Sequence, residues 1–199
     1  WYAASVSAPA GETTTFDILW RDPSIQPQAP EGLAPAVAFS DSGLFAMHSS
    51  VTDPAGIHLY GRASRFGSFN HAHADQGHFT LDAFGEPLLI DAGYYDWYRS
   101  PHASSFSRTT LAHSTLLVNG SIGQRTDDIT AKGKIESFLH SDHVDYAEVQ
   151  AAEAYPPQLL ESFQRQFVFL RPSWIVVFDH VKPREKASLA WLLHSLEQP

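Results

Sequence analysis

Short β-type runs, rich in apolar and β-branched residues, alternate with turn signals from residue 35 onward, at 36–40, 43–50, 57–64, 78–84, 88–95, 113–118, 133–140, 144–151, 163–170, 174–181 and 188–194. In an extended strand successive side chains go to opposite faces. Turn-forming residues separate one run from the next, and the helical spacing of about 3.6 residues is almost absent. The pattern predicts an all-β fold, an antiparallel β-sandwich or barrel. Two hairpins stand out. Phe84-Gly85-Glu86-Pro87 turns between two apolar runs, and Arg171-Pro172-Ser173 turns between Phe167-Val168-Phe169-Leu170 and Trp174-Ile175-Val176-Val177-Phe178. Residues 1–34 read differently: they are rich in Pro, Ala, Thr and Ser, and the prolines at 23, 27 and 30 exclude a helix or a central strand there. The expected organisation is an extended N-terminal arm, 1–34, followed by one β domain, 35–199. The stretch 98–112, with six Ser or Thr and no strand pattern, is expected to be a long functional loop.

The densest chemistry lies in Asn70-His71-Ala72-His73-Ala74-Asp75-Gln76-Gly77-His78, three histidines and an acid in nine residues. In an extended segment His71, His73 and Asp75 project from one face. Imidazole and carboxylate suit a borderline divalent cation, and this chain has no cysteine to offer instead. Imidazole also moves protons near neutral pH. Further along, Asp91 interrupts the apolar run Leu88-Leu89-Ile90, where an unpaired carboxylate is costly, and His113 opens another. A metal shared with His73 accounts for both, although hydrogen bonding accounts for either one taken singly. If Gly85-Glu86 forms the first hairpin turn, Asp91 falls opposite about Thr80, on the order of 23 Å of strand from His73. Sharing an ion then requires a bend, for which Gly77 is the obvious place. Without the bend Asp75 is the carboxylate, and His73, Asp75 and His113 make the two-histidine, one-carboxylate set of a mononuclear iron oxygenase. A non-catalytic carbohydrate-binding or structural sandwich, its histidines holding a loop, is a third reading.

Charge narrows the partners. The net charge of -9 argues against a sequence-independent nucleic-acid binder. No run of about 18 apolar residues predicts a membrane-spanning helix. The cations are uneven: residues 1–98 hold three against eleven acids, whereas 99–134 hold Arg99, Arg108, Arg125, Lys132 and Lys134 against Asp127 and Asp128. An anionic ligand is therefore expected near the second region. The chain begins at Trp1 and stops soon after an apolar run, which suggests a piece of something longer.

Four ordered segments resemble the C-terminal β-sandwich of heparinase II/III-like polysaccharide lyases. They are Asn70-His71-Ala72-His73-Ala74-Asp75-Gln76; Ala83-Phe84-Gly85-Glu86-Pro87-Leu88-Leu89-Ile90-Asp91-Ala92-Gly93-Tyr94-Tyr95; Ala112-His113-Ser114-Thr115; and Val118-Asn119-Gly120. Asp17-Ile18-Leu19-Trp20-Arg21-Asp22-Pro23 resembles the link that follows the helical domain of such enzymes, and together with the hairpin it looks most like the oligoalginate lyases. The resemblance implies an antiparallel β-sandwich preceded by an N-terminal α/α toroid domain, with the active site between the two. It implies β-elimination at a uronic acid of an anionic polysaccharide or oligosaccharide, alginate-like first and heparin or heparan sulfate second. His71 matches the catalytic-face histidine, and His73, Asp91 and His113 match ligands of a structural Zn2+. Asn70 and Arg99 are expected to contact substrate. In the family, the proton-handling tyrosine sits on the helical domain, so this portion alone is expected to hold metal but catalyse poorly. Tyr94, Tyr95 and Tyr98 are assigned no such role. The sequence leaves the protein's location unknown, with a periplasmic or secreted setting favoured over a cytoplasmic one.

Overall fold

The computed structural model describes residues 22, 24–26, 32–93, 97 and 99–196. The chain divides after Ala34 into two units. The predicted arm 1–34 and its Asp17-to-Pro23 link lie largely outside the described residues, as do Tyr94, Tyr95 and Tyr98.

In the second unit every strand pairing is antiparallel. β1 (Ala36–Phe39), β2 (Leu44–His48), β3 (His58–Arg62), β4 (Phe79–Ala83) and β5 (Glu86–Leu89) form one sheet in sequence order. A second sheet runs β10-β9-β8-β7, built from β7 (Lys134–His140), β8 (Val144–Gln150), β9 (Leu160–Leu170) and β10 (Trp174–Pro183). β6 (Leu116–Val118) pairs with β11 (Leu189–Trp191) in a short ribbon.

The two larger sheets meet through one apolar core. Phe45, Met47, Leu59 and Phe79 from the first pack against Ala147, Val149, Phe167 and Phe169 from the second. Side chains two apart on a strand share a face, and β9 alternates accordingly. Along β9, Phe163, Arg165, Phe167 and Phe169 all point inward and none is exposed. Each such apolar side chain contributes about 1.5–3 kcal/mol of burial. This is a β-sandwich, and among the described residues no helix is long and apolar enough to cross a membrane.

Three expectations need correction. The first hairpin turns at Phe84-Gly85, both with positive φ (61° and 80°), not at Gly85-Glu86. A register shift between Leu81 and Asp82, together with β5 ending at Leu89, takes Asp91 off the β4–β5 ladder, whose last pair is Leu81 with Leu89. The stretch 98–112 is not a plain loop: it holds a π-helical turn, Ala103–Ser107, and a 3-10 turn, Thr110–Ala112. Finally, the cations of 99–134 are partly paired, while Arg99 and Lys132 stay exposed. Arg108 pairs with Asp127, Arg125 with Asp128 and Lys134 with Glu136.

Candidate metal centre

Three loops converge at one end of the sandwich. The first is 70–78, in the connection between the neighbouring strands β3 and β4. It is not extended, so His71, His73 and Asp75 do not share a face. His71 is exposed, His73 is half-buried and Asp75 is buried. Asp75 turns to Arg62, with its Oδ1 3.1 Å from Nε. Its carboxylate is thereby committed to a cation, and Asp75 is not among the gathered ligands, which removes the basis for the iron-oxygenase set.

The loop is anchored from below. The Ala74 N–H donates to the Arg108 carbonyl at 3.0 Å, and the Thr110 hydroxyl donates to the Ala74 carbonyl at 3.0 Å. Arg108 also donates to the Asn70 carbonyl at 2.8 Å, where Asn70 takes a left-handed φ of 60°. Gln76 is fully buried: its Oε1 accepts the Ser64 N–H at 2.6 Å, and its backbone pairs twice with the Gln124 amide. Gly77, at φ 77°, completes the turn into β4. Gly123 lets the neighbouring segment close on Thr110, since a Cβ there would lie 2.6 Å from the threonine Cβ.

The second segment follows β5. Asp91 Oδ1 accepts the Gly93 N–H at 2.6 Å, which aims Oδ2 at the histidines. The third is the 3-10 turn ending at His113, whose ring is fully buried. His113 Nδ1 lies 2.9 Å from Asp91 Oδ2, and the His73 and His113 rings are 5.2 Å apart. His73, Asp91 and His113 offer donor atoms that all lie within 4.8 Å of one another. Burial alone would raise the Asp91 pKa, but the facing His113 and His78 overcome it and hold the carboxyl well below the usual carboxylate range. Burial, then the neighbouring His113, pushes His73 down and favours its neutral, ligating form.

This set fits a divalent ion. Two imidazoles and a carboxylate are the three-ligand complement of an open zinc site. His113 turns Nδ1 toward Asp91 Oδ2, the side on which these two and His73 could share an ion, and its buried Nε2 has no hydrogen-bond partner within the chain. Arg99 is exposed at the start of the segment leading to His113, and Asn70 and His71 are exposed on the rim of the first loop.

Sequence reasoning left two neighbours unassigned. His78 presents Nε2 at 3.1 Å from Asp91 Oδ2, although its place in the histidine run was a signal. His194, whose carbonyl accepts the Ile90 N–H at 2.9 Å, is held low by burial and then by His113 and His78. It closes a run far along the chain, and nothing local marks it.

Residues 31–198 match the model of the family described as "Heparinase II/III-like, C-terminal". The chain belongs to that family. Its fold is shared with solved structures. The heparan sulfate lyase HepC from Pedobacter heparinus matches with a TM-score of 0.69 at 24% identity, covering 85% of this chain and 25% of that one. The heparinase III BT4657 gene product matches with a TM-score of 0.66 at 18% identity, covering 81% and 24%. A further heparinase III matches with a TM-score of 0.62 at 16% identity, covering 80% and 24%. The chain thus spans about a quarter of the length of these proteins. No curated protein matched it.

Proposed function

We propose that this domain is the metal-bearing sandwich of a polysaccharide lyase that cleaves uronic-acid polymers or oligomers by β-elimination. The observation that carries this reading is the meeting of His73, Asp91 and His113 from three separate segments, in a member of this family and two residues from the exposed His71. The donor set points to Zn2+, which supplies structural cross-linking of the three loops.

Elimination needs the uronate carboxylate neutralised, the C5 proton removed and the O4 leaving group protonated. The C5–H and C4–O4 bonds break, and a C4=C5 double bond forms. His71 is the candidate to face the carboxylate and take part in proton transfer. The turn 70–74, tied down by Arg108 and Thr110, holds it in place. Asn70 and Arg99 are proposed to bind substrate. The remaining proton-handling groups are proposed to come from an N-terminal helical domain, joined through residues 1–34.

Among substrates, alginate-type chains come first and heparan sulfate second. Arg108 and Arg125 are engaged with Asp127 and Asp128, which leaves fewer cations in 99–134 for several sulfate groups, while a carboxylate needs only a local partner. The heparan sulfate named for the structural relatives keeps the second in the panel.

The test is ultraviolet absorbance of an unsaturated uronate product when the full-length protein meets alginate, heparan sulfate and other uronate polymers. Product is expected, and His71→Ala is expected to lower its rate at least about a hundredfold with zinc content unchanged. Absence of product from every polymer overturns the reading.

A further inference from the structure

We infer that His78 is a positioning residue of the metal centre, holding the Asp91 carboxylate through its Nε2–H without itself binding the ion. The inference rests on the metal reading of His73, Asp91 and His113.

The chemistry follows from which ring nitrogen is free. His78 is 7% exposed, and its Nδ1 accepts the Ser114 N–H at 2.8 Å. An accepting Nδ1 has no proton, so the neutral ring carries its proton on Nε2. A protonated Nε2 has no lone pair to give a metal, which sets His78 apart from His73 and His113 even though it lies among them. Nε2 lies 3.1 Å from Asp91 Oδ2 and makes no other hydrogen bond, so the carboxylate is the acceptor nearest that proton. Asp91 is thus gripped on both oxygens, Oδ1 by the Gly93 N–H and Oδ2 by imidazoles.

The anchor itself is rigid. Arg165, fully buried, donates from Nη1 to the carbonyls of Gly77 at 2.7 Å and Ser114 at 2.9 Å, the residues that flank His78 and His113. Its other nitrogens make a two-point pair with Asp179, both at 2.7 Å. The guanidinium also lies over the rings of Phe79, Phe163 and Trp191. β9 therefore clamps the two loops so that the Ser114 N–H and the His78 ring meet at a set distance. Partners of this outer kind orient ligating carboxylates, and their loss typically costs about 10–100-fold in metal affinity.

The experiment is zinc titration of the complete chain by competition with a chromophoric chelator, together with the visible spectrum of the Co2+ form, for His78→Gln and His78→Asn. Glutamine places an N–H donor near the position of Nε2 and loses the acceptor at Nδ1. Asparagine keeps that acceptor and loses the donor. If His78 holds Asp91, glutamine stays within about threefold of the parent, while asparagine falls about 10–100-fold and its Co2+ bands change. If His78 merely packs against Ser114, the order reverses, and that result overturns the inference. Equal affinity in all three overturns it as well while leaving the metal centre standing. A parent chain that binds no zinc overturns the metal reading first. Should either variant fail to fold, the side-chain 15N spectrum of the unmutated protein decides: His78 Nε2 keeps its proton after zinc is added, and loss of that proton would make it a ligand and end the proposal.

Discussion

Two histidine clusters sit in this sandwich, and they have opposite characters. His48 and His58 face each other across β2 and β3, with their Nδ1 atoms 2.8 Å apart. His58 Nε2 donates to the Asp53 carbonyl at 2.9 Å, so His58 Nδ1 is free to accept the His48 Nδ1–H. That pair satisfies itself, on regular strands. The cluster of His73, Asp91 and His113 comes instead from three loops, and its innermost ring leaves Nε2 buried without a partner. Counting histidines does not separate a site from a structural pair. What separates them is a carboxylate set between imidazoles from separate segments, a donor set that suits a divalent ion.

The contrast can be broken at its foundation. Arg165→Met removes one half of a buried ion pair and leaves Asp179 and two loop carbonyls unanswered. A loss of about 3–5 kcal/mol is expected from denaturant midpoints, while the His48–His58 pair keeps its geometry. Metal should tell the clusters apart next. With free zinc at 100 times its Kd, the melting transition should rise by the equivalent of about 2.7 kcal/mol and fall back with chelator. His113→Ala should abolish that response, and His48→Gln should leave it intact. A response that survives His113→Ala would mean the ion sits elsewhere.

A smaller effect probes the packing under the loops. Gly123→Ala drives a methyl group against Thr110, the residue that ties Ala74 to Gln124. It should cost about 1–3 kcal/mol by thermal or chemical unfolding and weaken zinc binding with it.

The smallest expected effect belongs to the strand pair. Burial, followed by the neighbouring His58 and Arg171 and opposed by Asp145, lowers the His48 pKa from 6.5 to about 4. A depressed imidazole pKa means the unfolded chain takes the proton first. This contribution is complete above pH 6.5 and is lost as pH falls toward 4. Because the ring is only half-buried, the loss is about 1 kcal/mol after discounting for solvent screening. His48→Gln should flatten stability across that window, and an unchanged slope would assign the effect to other groups.

The strands were legible because each is a local pattern. The alternation at Phe163, Phe167 and Phe169 predicts an inward face without reference to any other segment, and the Arg171-Pro172-Ser173 turn marks its own hairpin. Residue type and resemblance singled out His73, Asp91 and His113, the three residues that the fold gathers. Their convergence belongs to the tertiary structure. Residues 18 and 22 positions apart meet only because the chain leaves the ladder at Gly77 and again after Leu89. Tertiary structure alone also chose Asp91 over Asp75, by supplying Arg62 to the latter, and paired Arg108 and Arg125 with Asp127 and Asp128. It put an arginine where alternation calls for an apolar residue, at Arg165, and surrounded it with acceptors from distant loops. Periodicity records which face a side chain takes. It carries no record of what stands opposite, and pairing between charges and ligands depends on that distance and nothing else.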